Sequence, residues 1–363
     1  MMMYSPFRHI SSVFSKKHPI HLTFFVTRRC NARCPFCFYL KAEDDQAETE
    51  KELSLGEIMK VSLSLGDLLW LAFSGGEIFL REDLPEITRI FYTNNRPAIM
   101  LFPTNGLLTG RIAEMTEQII KDSPKSTIAV KLSLDGLHET HDRLRNTPGS
   151  FAKAMETYRL LRGLLDGHPN FELGVNTVYC SENQDEMDSI IDFVNSMEGI
   201  KTHTISLVRG NLADKTFMNV DLQKYRHAIG RLEQNLKQKE SSKTYRFKGA
   251  RIKAAQDILQ RDLISRTFDE QKRLIPCYAG ALNLVLRENG EVYPCEILMR
   301  SFGNVRDYGY HIPKLLESDR AKAVINSIKD GQCFCTHECY FMTNILFNPR
   351  LYPALAREYL QIK

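Results

Sequence analysis

Three cysteines fall in one short stretch, Cys30-Asn-Ala-Arg-Cys34-Pro-Phe-Cys37, separated by three residues and then by two. Thiolates in such runs bind soft metals and iron–sulfur clusters. Three thiolates on a four-iron cluster leave one iron without a protein ligand, as three protein ligands leave a catalytic zinc open to its substrate. A zinc knuckle is the other chemistry the spacing allows. It needs a second Cys/Cys or Cys/His pair nearby, and His21, on the preceding predicted strand, is poorly placed to supply one. Five more cysteines lie toward the C-terminus, Cys277, Cys295, Cys333, Cys335 and Cys339, while Cys180 stands alone. Twelve residues separate Cys277 from Gly290 and four separate Gly290 from Cys295. Two separated cysteine groups imply two metal sites.

The scaffold for those sites is a chain of 363 residues, too long for one ordinary domain and comfortable for two. Lys plus Arg number 48 against 44 Asp plus Glu, a net +4 that argues against a nucleic-acid binder. No uncharged apolar run approaches the roughly 20 residues of a transmembrane span. The first 19 residues carry scattered basic groups without the apolar core of a secretory signal, and read as a disordered or loosely docked lead-in. With no export signal, nine cysteines point to metal or redox chemistry in a cytoplasmic protein rather than to disulfides.

From about residue 20 to 210, short apolar runs alternate with amphipathic stretches. The runs are His21–Thr27, Leu69–Phe73, Ala98–Phe102, Thr127–Leu134, Phe171–Val178 and Thr202–Val208. Helical patterns lie between them at Leu55–Leu65, Leu84–Tyr92, Ile112–Ile120, Phe151–Leu164 and Met187–Ser196, the first opened by Ser54 and Glu57 at capping-box spacing. Such alternation predicts β-α-β units and a parallel α/β sheet. Six units rather than eight suggest an incomplete barrel, with an open doubly wound sheet as the alternative. Leu222–Leu236 and Ile252–Leu263 then read as a solvated pair of connecting helices. Beyond Cys277, the alternation about Asn289–Gly290 predicts a hairpin.

Taken in order at the predicted strand ends, the short motifs carry a resemblance. Cys30-x3-Cys34-x2-Cys37, with Phe36 before the last cysteine, resembles the signature of the radical S-adenosylmethionine superfamily. Ser74-Gly75-Gly76-Glu77 resembles that family's motif for the methionine ammonium, for which a carboxylate is suited and glycines permit close backbone approach. Thr104-Asn105-Gly106, Ser133-Leu-Asp135-Gly136 and His141-Asp142-Arg143-Leu-Arg145 follow in the family's order. The resemblance implies a partial (β/α)6 TIM-like barrel with a [4Fe-4S] cluster on Cys30, Cys34 and Cys37. It implies Gly75, Gly76 and Glu77 at the methionine ammonium, Ser133 and Arg145 at the methionine carboxylate or the ribose, and Asn176 as a further cofactor contact. The chemistry implied is reductive cleavage of S-adenosyl-L-methionine to a 5′-deoxyadenosyl radical that abstracts a hydrogen atom from a substrate.

The Cys277…Gly290-x4-Cys295 hairpin resembles the SPASM/twitch extension of the same superfamily, which houses auxiliary clusters. The full pattern has seven cysteines, and five after residue 270 suffice for one auxiliary four-iron cluster. Its expected ligands are Cys277, Cys295 and Cys339, with Cys335 as the fourth and Cys333 as the alternative. His337 reads as an outer or surface residue, and Cys180 as a buried thiol. The chain divides accordingly into a lead-in over 1–19, a partial barrel over 20–215, a helical connector over 216–272, a SPASM/twitch-like unit over 273–345 and a tail over 346–363.

Enzymes of this kind modify peptides or oxidise small molecules, drawing electrons from flavodoxin or ferredoxin. The first strand begins near residue 21, so a peptide substrate would need a separate recognition protein. Arg209, at the end of the sixth strand with Asn211, is expected to face the barrel mouth and contact an anionic substrate group. Two alternatives stand beside the leading reading: a radical dehydrogenase that uses the auxiliary cluster as electron acceptor, and a zinc-stabilised binding protein for RNA. The near-neutral charge and the GGE and SLDG segments count against the last.

Overall fold

The computed structural model describes residues 3–40, 51–237, 249–331 and 333–362. Six strands alternate with helices: β1 (His21–Thr27), α1 (Leu55–Ser64), β2 (Trp70–Gly75), α2 (Leu84–Asn95), β3 (Ile99–Thr104), α3 (Thr109–Asp122), β4 (Thr127–Ser133), α4 (His138–Arg145), α5 (Ser150–Gly163), β5 (Phe171–Tyr179), α6 (Met187–Ser196) and β6 (Ile200–Leu207). All six pair in parallel, in the order of the chain. The sheet does not close, and it is the open partial barrel implied by the sequence. Among the described residues no helix is long and apolar enough to cross a membrane.

The outer face of the sheet packs on the helices. Leu22, Phe24 and Val26 of β1 alternate outward against Leu71 and Phe73 of β2, beneath Ile58 and Val61 of α1 and Ile87 and Phe91 of α2, all essentially fully buried. Phe73 and Phe102 stack with ring centroids 4.8 Å apart, and each such buried ring contributes about 2 kcal/mol of transfer free energy. The helix starts follow local chemistry. Ser54 and Glu57 make both halves of a capping box on α1.

After β6 come α7 (Leu222–Lys237) and α8 (Ala250–Glu270), then β7 (Asn283–Leu286), β8 (Glu291–Tyr293), β9 (Gly303–Asn304), α9 (Ile312–Leu316), α10 (Asp319–Lys329), α11 (Glu338–Leu346) and α12 (Tyr352–Gln361). The predicted hairpin forms as β7 and β8, with Gly290 at φ +91° in its turn. It is not a detached module. β7 lies parallel to β1, His21 opposite Asn283 and Phe24 opposite Leu286, so the cysteine-rich unit extends the barrel sheet to nine strands.

Four segments differ from expectation. The connector helices are not a solvated pair: Ala255, Gln256, Ile258 and Ile264 of α8 are all at most 3% exposed. The helix faces the inner side of the sheet and is covered by α7, α11 and α12, which hides its polar residues from sequence periodicity. The lead-in is docked rather than loose. Pro6–Val13 forms a 3-10 helix that buries His9 and Val13, Arg8 Nη2 donates to Leu68 O at 2.9 Å, and Tyr4 N donates to Lys125 O at 2.7 Å. In the tail, α12 packs along α8. The helix α4 goes unpredicted because HETHDRLR has almost no apolar period; Asn146 ends it in the left-handed region at φ +47°.

Candidate functional site

The first cysteine loop leaves the C-terminal end of β1, the end where parallel α/β folds gather ligands. Cys30, Cys34 and Cys37 are free thiols, and Cys37 N donates to Cys34 O at 3.0 Å to close the turn between them. Donors surround the sulfurs. Ala32 N lies 3.5 Å from Cys30 Sγ, Leu40 N 3.3 Å from Cys37 Sγ, and Arg145 Nη1 3.7 Å from Cys34 Sγ. Burial pushes the Cys34 thiol up to about 11, with Arg145 opposing. Such a thiol ionises on binding a metal, which couples coordination to proton release. Three unpaired thiols in one loop, each met by a donor suited to thiolate, fit a cluster site with an open iron.

The end of β2 lies hard against this loop. A Cβ at Gly75 would sit 2.3 Å from Thr27 O, and one at Gly76 would sit 2.1 Å from Arg29 O, so neither position admits a side chain. Gly76 N and Glu77 N donate to those same carbonyls at 2.9 Å each. Glu77 is buried, and its carboxylate accepts from Thr104 Oγ1 at 2.9 Å, Asn105 N at 2.8 Å and Phe79 N at 3.3 Å. Burial pushes it up to about 7, against the pull of the Asn105 and Thr104 bonds. Asn105 also donates to Asn31 Oδ1 at 2.8 Å and reaches Cys30 Sγ at 3.9 Å. Asn105 thus joins Glu77 to the cysteine loop. Thr-Asn-Gly reads as a mere turn in sequence; only its position after β3 signals the link.

On the other side, Arg145 pairs with the fully buried Asp135, and its guanidinium lies 5.8 Å from the centre of the Phe36 ring. Asp135 Oδ1 accepts from Val178 N at 2.7 Å, which ties the SLDG turn to β5. Ser133 and Asn176 stand opposite each other in the β4–β5 register. The cofactor-contact candidates therefore ring one end of the sheet.

Cys277, Cys295, Cys333 and Cys335 line a separate cavity of about 100 Å³ with Leu274, Tyr340 and Phe341. Burial pushes Cys295 and Cys335 up to about 12. The resemblance implies Cys339 as a ligand with Cys333 as the alternative; Cys333 lines this cavity, and Cys339 lines the barrel cavity. Helix α11 starts at Glu338 with His337 as its N-cap, which turns Cys339 into the barrel cavity. His337 is 2% exposed, not a surface residue: Nδ1 accepts from Cys339 N at 3.3 Å and Nε2 meets Glu296 Oε2 at 2.6 Å. Arg209 does face the barrel cavity, but its guanidinium is engaged by Glu338 at 3.1 Å. Cys180 is fully buried in a small apolar cluster with Phe36 and Val208, a core thiol. Among the described residues no three His, Cys, Asp or Glu side chains converge as the ligands of a single metal ion would.

The barrel cavity, about 300 Å³, lies between the inner face of the sheet and α8. Ser74 and Asn176 from strand ends and His337 and Cys339 from the cysteine-rich unit all line it.

The radical SAM superfamily description matches residues 24–194. The Fe-coproporphyrin III synthase of Methanosarcina barkeri (strain Fusaro / DSM 804) is 32% identical over 192 residues, 50% of this chain and 45% of its own length. AlbA, the antilisterial bacteriocin subtilosin biosynthesis protein of Bacillus subtilis (strain 168), is 28% identical over 294 residues, 79% of this chain and 57% of its own. The chain thus spans about half the length of these two relatives. Among solved structures, Streptococcus suis SuiB bound to S-adenosylmethionine shares the fold, with a TM-score of 0.58 at 16% identity over 87% of this chain and 71% of that one. With cysteine loop, glycine turn and parallel strands falling inside the matched span, this chain belongs to the radical SAM superfamily of iron–sulfur, S-adenosylmethionine-using enzymes.

Proposed function

We propose that this enzyme cleaves S-adenosylmethionine reductively and turns the radical on a peptide held in the barrel cavity, with one auxiliary four-iron cluster on Cys277, Cys295, Cys333 and Cys335. Cys30, Cys34 and Cys37 would hold a four-iron cluster which, with S-adenosylmethionine bound, would supply the one-electron chemistry for hydrogen-atom abstraction from the substrate. The protein's own residues do the positioning. Glu77 would accept from the methionine ammonium, and Gly75 and Gly76 keep the approach to it open. Ser133, Asn176 and Arg145 would hold the carboxylate or ribose, with Arg145 fixed by Asp135. Helix α8 closes the open side of the barrel and keeps water from the reacting carbon.

The observation that carries this reading is the cavity itself, which Ser74 of the glycine motif and Asn176 of β5 line together with His337 and Cys339 of the cysteine-rich unit. The peptide class is favoured by AlbA, a bacteriocin biosynthesis protein whose likeness runs over 79% of this chain, well past residue 194. A flavodoxin or ferredoxin would deliver the electron, and a separate recognition protein would present the peptide. The test is anaerobic reaction of cluster-loaded enzyme with deuterated candidate peptides, following deuterium into 5′-deoxyadenosine by mass spectrometry. Transfer from a peptide supports the reading. Transfer only from a small molecule in extract moves the substrate class, and no S-adenosylmethionine cleavage at all removes the radical mechanism.

A further inference from the structure

The barrel cavity has a charge imbalance at its inner end. Lys253 of α8 is paired with Asp257 one turn on, and Arg209 with Glu338. Lys131 and Arg261 are not disposed of in this way. Lys131 points inward from β4, and its ammonium donates to two hydroxyls on β6, those of Thr202 and of Thr204, the latter at 3.4 Å. Arg261 faces it from α8, and its Nη1 is buried with no partner among the described residues. Arg261 acts on Lys131 across the cavity and disfavours the ammonium in a site shielded from water. Glu172 and Asp257 are the carboxylates that offset this at Lys131, and Arg261 also acts on Glu233 of α7. A buried guanidinium nitrogen without an acceptor is costly unless a ligand supplies one.

We infer that Lys131 and Arg261 form a carboxylate-binding subsite, so that the substrate carries a carboxylate seated between β4 and α8. This rests on the substrate-cavity reading above and narrows its substrate class. An arginine fork and a lysine point charge suit a planar two-oxygen group. Phosphate sites usually add backbone N–H groups from a helix start or a glycine-rich loop, and neither lines this end. A cavity of about 300 Å³ is at the small end for ligand sites, the size for an acidic side chain or a chain terminus. Burial, aided by Lys253, also lowers Lys131 to about 8. A bound carboxylate reverses that shift, so binding takes up a proton above pH 8 and weakens as pH rises further.

Calorimetric titration of the cluster-loaded enzyme, with S-adenosylmethionine present, tests this using glutarate and its uncharged analogue glutaramide. Glutarate is expected to bind at least tenfold tighter than glutaramide. Lys131→Met and Arg261→Met should each remove that preference, while Lys131→Arg keeps most of it. Iron content and S-adenosylmethionine affinity report whether each variant is folded. Should a methionine variant lose iron, the discrimination by the unsubstituted enzyme still decides the matter. Equal binding of glutarate and glutaramide, or full glutarate affinity in both folded methionine variants, would overturn the subsite. An enzyme that lacks iron or ignores S-adenosylmethionine would instead overturn the functional reading. Pentapeptides offered as free acid or amide, and with Glu or Gln, then tell a chain terminus from an acidic side chain.

Discussion

Arg209, at the end of the barrel strands, and Glu338, the first residue of α11, form an ion pair of 3.1 Å that joins the partial barrel to the cysteine-rich unit. Their side chains are only 19% and 14% exposed. Removing one member strands the other in a site of low polarity, a loss of roughly 3–5 kcal/mol for a fully buried pair and nearer the low end here. Arg209→Met and Glu338→Met are each expected to lower the thermal unfolding midpoint of the loaded enzyme by several degrees. The double variant should recover part of the loss. Strictly additive losses would show that the contact does not couple the two units.

The pair also shows where sequence reading stops. Strand β1, the capping box at Ser54 and the helix Met187–Ser196 are legible because period, cap and turn residues lie within a few positions of one another. The cysteine loop is legible because its chemistry is local. The pairing of β7 with β1 and the burial of α8 are set by contacts between distant segments, and the many Lys, Arg and Gln of α8 suggest the opposite. Asn105 hides in a common turn. The place of Cys339 depends on where α11 starts, since a helix beginning at Glu338 with His337 as its cap leaves Cys339 in the lining of the barrel cavity.

Metal content offers a direct check on the two-cluster arrangement. Loaded enzyme should carry about eight irons, by the arithmetic of two four-iron clusters. Alanine at Cys30, Cys34 and Cys37 together should leave about four, in a cluster whose spectrum does not respond to S-adenosylmethionine. Full retention of iron by the triple variant would remove the loop as a cluster site.

The same triple-alanine background resolves the second site. Adding Cys333→Ala should lower the remaining iron, because Cys333 shares its cavity with Cys277, Cys295 and Cys335. Adding Cys339→Ala should leave the iron in place, because Cys339 lies in the barrel cavity beside Arg209 and Glu338. Iron analysis with Mössbauer spectra distinguishes the two. The reverse pattern would restore Cys339 as a ligand.

Glu77 gives a pH signature. Its carboxyl is raised to about 7, chiefly by burial, so without ligand it is largely protonated below that pH. In the free protein, the neutral form favours folding most below the ordinary carboxylate range, and that advantage is lost as pH rises through 7. A bound ammonium reverses the preference, since it stabilises the ionised carboxylate. Binding of S-adenosylmethionine below pH 7 must therefore expel a proton. Affinity should climb by up to tenfold per pH unit toward 7 and then level off. Glu77→Gln should flatten the profile and weaken binding by roughly 1.5–3 kcal/mol, the scale of a charge-assisted hydrogen bond. Calorimetry at pH 6.5 in buffers of different ionisation enthalpy measures the released proton directly. A flat affinity between pH 6 and 8 in the unsubstituted enzyme would take the ammonium contact away from Glu77 and leave it as the brace between Thr104, Asn105 and the cysteine loop.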